Sequence, residues 1–234
     1  MTAQEPFRGG AIRLLRYDLR MRVTRLWNRL CQHMAGKQRH HPFDLCVPFV
    51  HETSHHKSLH FSASETQSVM LKRAPGVLIE DYTRTMMGFL AFEPRPHRIA
   101  MIGLGGGSLA KFCYATLPQA SIDVVEVNPH VVELRQEFCV PDDDERFRVV
   151  LDDGAAFVQR VTEHYDVLLV DAYTRQGVPT HLATPRFFQD CRRALGKNGV
   201  MVVNLSGSRA HRIASSIDRA FPFTFFLSEN DDEN

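Results

Sequence analysis

The chain has 234 residues, 44% of them apolar and 24% charged, which is enough to bury a sizeable core and excludes a disordered or fibrous chain. No apolar stretch approaches the roughly 18 residues that a transmembrane helix needs. The net charge of +1 hides a division: residues 1–41 hold nine Lys/Arg against Glu5 and Asp18, a net +7, whereas residues 42–234 hold 19 Lys/Arg against 25 Asp/Glu, a net −6. Five cysteines, Cys31, Cys46, Cys113, Cys139 and Cys191, show no C-x-x-C spacing. That argues against a disulfide framework or a zinc knuckle and makes a reducing, cytoplasmic setting the expectation.

In residues 1–41, Leu15, Leu19, Val23, Leu26, Leu30 and Met34 recur at steps of three and four, one stripe of a helix expected to stop near Gly36. Arginines interrupt its apolar residues, so no secretory core exists, and the absence of serine speaks against a transit peptide. The basic face of this leader suits an anionic membrane or nucleic acid, and its stripe suits docking on the body of the protein or on a second subunit. Residues 42–78 break into short strand-like pieces, Cys46–Val50, Ser58–Phe61 and Ser68–Leu71. His51 to His55 matches H-E-x-x-H, a zinc motif only where a helix puts both histidines on one face; Pro48 and the Thr-Ser centre point instead to strand and loop.

Residues 79–234 read as a Rossmann-like domain. A helix over 79–91 leads through Pro94 and Pro96 into alternation: strands 98–104, 122–127, 147–151, 165–171, 199–205 and 222–228, separated by helices 108–116, 129–138, 154–162, 184–195 and 208–219. Continuous apolar strands such as IAMIGL and YDVLLVD belong to a parallel sheet covered on both faces.

The first of these strands ends in Gly103-Leu104-Gly105-Gly106-Gly107-Ser108. Glycines at such a turn let a ligand approach the main chain at a helix N-terminus. Ser108 stands where a dinucleotide fingerprint has its third glycine, which favours a nucleoside without a pyrophosphate. Glu126 ends the next strand, where a carboxylate accepts ribose hydroxyls; Asp152-Asp153-Gly154 ends the third, where a carboxylate takes the adenine amino group; Asp171 ends the fourth. For each alone a helix cap or a solvated turn is the plainer reading, but three carboxylates on one edge of a parallel sheet mark its ligand-binding edge. Asn204-Leu205-Ser206 fits a glycosylation sequon, without meaning in a cytoplasmic setting.

Tyr82, IAMIGLGGGS, VVEVNPHVVEL (124–134), DDGAAF (152–157), VLLVDAY (167–173) and GVMVVNL (199–205) resemble the polyamine aminopropyltransferases, the spermidine synthase family. QSVM (67–70), YTRTMM (82–87) and GLGGGS resemble its short bacterial spermidine synthase-like members. The resemblance implies the class I S-adenosylmethionine-dependent methyltransferase fold, with decarboxylated S-adenosylmethionine or S-adenosylmethionine as co-substrate, no metal, a small amine as acceptor, and a homo-oligomer. By that likeness Asp171 is the base and Tyr82 bonds the substrate amine. Gly103, Gly105, Gly107, Glu126, Asp153 and Gly154 hold the nucleoside, with Gln67 in the bordering strand. The fold also implies a closing antiparallel hairpin, for which only six polar residues follow strand 222–228.

Departures fall on the amine half of the site, not on the nucleoside half. Gly106 replaces the aspartate that grips the donor's amino group, and Ala172-Tyr173-Thr174-Arg175-Gln176 lacks the further acidic residue after the base. Thr83 follows the family tyrosine, and Lys57-Ser58 replaces a glutamine. The resemblance implies aminopropyl transfer to an amine, and these departures keep methyl transfer and a non-catalytic nucleoside-binding role as the alternatives.

Overall fold

The computed structural model describes residues 45–62, 65–174, 177–206 and 209–227. The expected leader helix lies outside them, as do Arg175 and Gln176. The elements below belong to the compact unit formed by residues 44–61 and 65–234.

The first layer is an antiparallel sheet of β1 (Phe49–Glu52), β2 (His56–His60) and β3 (Thr66–Leu71) in that order. Pro48, which has no N–H to give a ladder, displaces the expected first strand so that it begins at Phe49. Thr53 closes the hairpin: its N–H reaches the His56 carbonyl at 2.9 Å and its hydroxyl accepts from His56 N at 2.9 Å. His51 thus lies in β1 and His55 in the turn, not on one helix face. The expected helix over 79–91 is α1 (Asp81–Met86) followed by a 3₁₀ turn over Met87–Ala91, which contains Gly88, a poor helix former.

The second layer is a five-stranded parallel sheet. In chain order its elements are β4 (Arg98–Ile102), α2 (Ser108–Thr116), β5 (Ser121–Glu126), α3 (Pro129–Glu133), β6 (Phe147–Leu151), α4 (Gly154–Gln159), β7 (Tyr165–Val170), a 3₁₀ turn over Thr180–Ala183, α5 (Pro185–Ala194), β8 (Leu195–Val203) and α6 (Ala210–Ala220). The strand order is β6-β5-β4-β7-β8. Because side chains alternate across a strand, each central strand feeds two cores. Ile99, Met101, Val167 and Leu169 join β3, α1 and α2 on one face. Ala100, Ile102, Leu168 and Val170 join α4, α5 and α6 on the other. Burying each of the larger side chains contributes about 1.5–3 kcal/mol, and together they fix the strand ends that carry the site.

In this layer β8 starts at Leu195 rather than 199 and α4 stops at Gln159 rather than 162, and two further elements depart more from expectation. The helix expected over 129–138 stops at Glu133; Cys139 adopts a left-handed conformation (φ 56°), Val140 N closes the turn on the Arg135 carbonyl at 2.9 Å, and buried Lys111 takes the Phe138 carbonyl at 2.8 Å. The strand expected over 222–228 is not formed: residues 221–227 are irregular, and Phe223 is 82% exposed. Phe225 stacks on Phe92 at 5.5 Å instead of entering the sheet. Among the described residues β8 is therefore one edge of the sheet, opposite β6.

Candidate active site

A cavity of about 430 Å³ opens at the carboxyl ends of β4, β5 and β7, roofed by β3 and the start of α1. It brings together Gln67, Tyr82, Gly103, Gly105, Glu126, Asp153, Gly154 and Asp171. Of the residues expected to hold a nucleoside, only Gly107 stays outside. It is the N-cap of α2 at φ 69°, and a Cβ there would lie 2.4 Å from Val140 Cγ2, so this glycine serves packing.

The glycine loop is held by the carboxylate beside it. Glu126 is buried; it accepts the Leu104 N–H at 2.9 Å through Oε2 and the Asn128 N–H at 2.8 Å through Oε1. Burial pushes its pKa up, and these backbone N–H groups, with those of Val127 and Gly105, oppose the rise. Gly103, at φ 100°, is forced by proximity: a Cβ would stand 2.1 Å from the Asp171 carbonyl oxygen. Gly154 starts α4 against β4, with Ile102 Cγ2 2.4 Å from where a Cβ would be. Asp153 caps that helix through Ala156 N at 2.8 Å, and its other oxygen meets His181 Nε2 at 2.8 Å. Each carboxylate oxygen has two lone pairs, so these bonds leave acceptor capacity toward the cavity.

Asp171 follows β7 at the floor of the cavity. Tyr82 donates its hydroxyl to Oδ2 at 3.4 Å, and Asn204, just past β8, donates Nδ2 to Oδ1 at 3.0 Å. Burial raises the Asp171 pKa while these two donors restrain it. Tyr82 is held in its neutral, donating form, first by burial and then by the charges of Asp171 and Glu80. Tyr173 locks the two following loops together, donating to the Asn204 carbonyl at 2.9 Å and accepting from Ser206 N at 2.9 Å.

Where the family resemblance leads one to expect an aspartate, the space at Gly106 is already filled. A Cβ would meet Ser68 Oγ at 2.6 Å, Ser68 Cβ at 2.9 Å and Phe138 Cδ1 at 3.0 Å. Ser68 lies on β3 and bonds Ser108 Oγ at 3.3 Å. Thr83 is buried, its hydroxyl on the Glu80 carbonyl, and lies outside the cavity, as does Lys57, which pairs with Glu52 and Glu137.

Asn204, Glu80, His181 and Ser68 are among the cavity residues that spacing alone did not single out. Asn204 had a usable signal, since it follows the last apolar residue of a strand neighbouring the one that delivers Asp171.

A doubly covered parallel sheet with a glycine loop and carboxylates on its C-terminal edge defines a Rossmann-like protein of the class I S-adenosylmethionine-dependent methyltransferase fold. Solved structures agree: a probable spermidine synthase from Corynebacterium glutamicum superposes with a TM-score of 0.67 at 20% identity, over 76% of this chain and 69% of that one. Human Methyltransferase-like protein 13, solved with SAH, gives 0.59 at 20% identity, over 65% of this chain and 78% of the other. Residues 80–217 match the spermine/spermidine synthase domain, and the chain belongs to that family. A polyamine aminopropyltransferase from Chromobacterium violaceum is 38% identical over 172 residues, 73% of this chain and 65% of its own length. The chain thus spans somewhat less than two thirds of that relative.

Proposed function

We propose that the protein transfers an aminopropyl group from decarboxylated S-adenosylmethionine to a small amine. The observation that carries this is the placement of Asp171, oriented by Tyr82 and Asn204, beside the glycine loop in a cavity lined by carboxylates. In this reading Glu126 accepts the ribose hydroxyls, Asp153 the adenine amino group, and the loop amides face the nucleoside, with Gly103, Gly105, Gly154 and Gln67 around it.

The acceptor amine, with a pKa near 10 in water, has to lose a proton before it attacks. Tyr82 and Asp171 hold the nitrogen; its proton passes to Asp171, and its lone pair forms a bond to the methylene beside the sulfonium. The carbon–sulfur bond breaks with its electron pair staying on sulfur, so methylthioadenosine leaves as a neutral thioether. Burial of Asp171 narrows the gap between its proton affinity and that of the amine, which favours the proton transfer.

A second reading, methyl transfer from S-adenosylmethionine, draws on Gly106: with Ser68 filling the space of the expected aspartate, the donor's arm lacks its usual partner there. The two separate on incubating the protein with each donor and a panel of amines. Release of methylthioadenosine supports aminopropyl transfer; release of S-adenosylhomocysteine alone supports methyl transfer. Tight NAD binding with no response to either nucleoside product would remove both. The proposal includes a cytoplasmic setting and a homo-oligomer. Among the described residues no helix is long and apolar enough to cross a membrane. In this proposal any contact with nucleic acid or an anionic membrane belongs to residues 1–41, whose apolar stripe equally suits docking on the body of the protein or on a second subunit.

A further inference from the structure

Where a strand over 222–228 is expected, the chain instead leaves aromatic side chains in water. Phe223 is 82% exposed, Phe225 71%, Phe226 65% and Leu227 67%, and Phe92, on which Phe225 stacks, is 59% exposed. Leu227 Cδ1 stands 3.3 Å from where a Cβ on Gly88 would be, so the run lies along the 3₁₀ turn Met87–Ala91, which packs beside β8. The five side chains form one patch next to a sheet edge that has no neighbouring strand among the described residues.

A large apolar side chain carries about 200 Å², so these exposures leave about 650 Å² of apolar surface in water. Soluble monomers rarely keep a contiguous apolar patch larger than a few hundred Å². Two such patches set face to face bury about 1,300 Å², within the roughly 1,200–2,000 Å² of a stable protein–protein interface. A two-fold axis suffices: each residue meets the same set on the other copy, so the contact closes as a dimer and does not propagate. Charge narrows the alternatives. Glu229, Asp231, Asp232 and Glu233 follow the patch in the chain, and such a run of acids repels an anionic membrane or a nucleic acid.

We propose that this aromatic patch is a homodimer contact, its occupant the same patch of a second copy. The inference rests on the homo-oligomer included in the proposed function and gives it a surface.

Light scattering on the full chain at micromolar concentration is the test. The wild type should weigh twice the 26.7 kDa of one chain, and Phe223→Asp combined with Phe226→Asp should weigh one, its dissociation constant raised about 100-fold or more. A monomeric wild type overturns the proposal together with the homo-oligomer, whereas a variant that stays dimeric overturns this surface alone. Leu19→Asp combined with Leu26→Asp should leave the dimer intact; a monomer there moves the contact to residues 1–41 and overturns the proposal. Added NaCl should preserve or tighten the dimer, because it screens the like-charged acidic runs and does not weaken apolar burial. Dissociation by salt contradicts an apolar contact. A cooperative thermal transition shows that each variant is folded. If the double Phe variant lacks one, Phe223→Asp alone, at the most exposed of these positions, should raise the dissociation constant about tenfold, and no change overturns the proposal.

Discussion

The two halves of the cavity, one proposed to hold the nucleoside and the other the acceptor, are built differently. The nucleoside half is made by backbone and by carboxylates fixed to it: Glu126 is clamped by the N–H groups of Leu104 and Asn128, and Asp153 caps α4. The acceptor half is made by side chains that converge from separate elements, Tyr82 from α1, Asp171 from the end of β7 and Asn204 from beyond β8. The first half changes only if the turn itself changes. The second can be retuned one side chain at a time, which is how a fold keeps its nucleoside and alters its acceptor.

The sharpest separation of the halves is expected from Asp171→Asn. It should lower amine-dependent methylthioadenosine release by about 10³-fold, within the range for loss of a general base, while the calorimetric Kd for methylthioadenosine stays within about threefold. Next in size, Gly106→Ala should cost about 1–3 kcal/mol in denaturant unfolding through overpacking on Ser68 and Phe138. Much of that loss should be recovered when Ser68→Gly is added, a non-additivity that independent sites would not show.

Tyr82→Phe should lower kcat/KM for the amine about tenfold, the worth of one hydrogen bond to a charged group, and leave nucleoside affinity alone. The smallest effect is on stability. Asp171 has a raised pKa in the folded protein, so the folded state binds its proton more tightly than the unfolded state, and stability falls as pH rises from the ordinary carboxylate value through the raised one. Asp171→Asn should therefore raise Tm by a few degrees at neutral pH, with the gain vanishing toward pH 4. A Tm gain independent of pH would locate the effect elsewhere.

The same division governs what could be read in the sequence. Gly103, Glu126 and Asp153 were legible because each stands at a fixed offset from an apolar strand, and the strand pattern sets its place on the sheet edge. Asn204 stood out only as part of the GVMVVNL likeness and by following the last apolar residue of its strand, because its bond to Asp171 depends on β8 pairing beside β7, a tertiary fact. Glu80 gave no signal, and Ser68 only as part of the QSVM likeness, since β3 and the start of α1 reach the cavity only by packing over the sheet. The reverse error arose at 222–228, where a run of phenylalanines imitates a strand, yet Pro222 withholds an N–H and the aromatic side chains stay exposed.

The most direct test of the account is single-turnover release of methylthioadenosine from decarboxylated S-adenosylmethionine, with and without an amine, in the wild type and in Asp171→Asn. The account predicts release that requires the amine and is lost in the variant although methylthioadenosine still binds. Equal release by the two proteins, or none by the wild type with any amine, would contradict it.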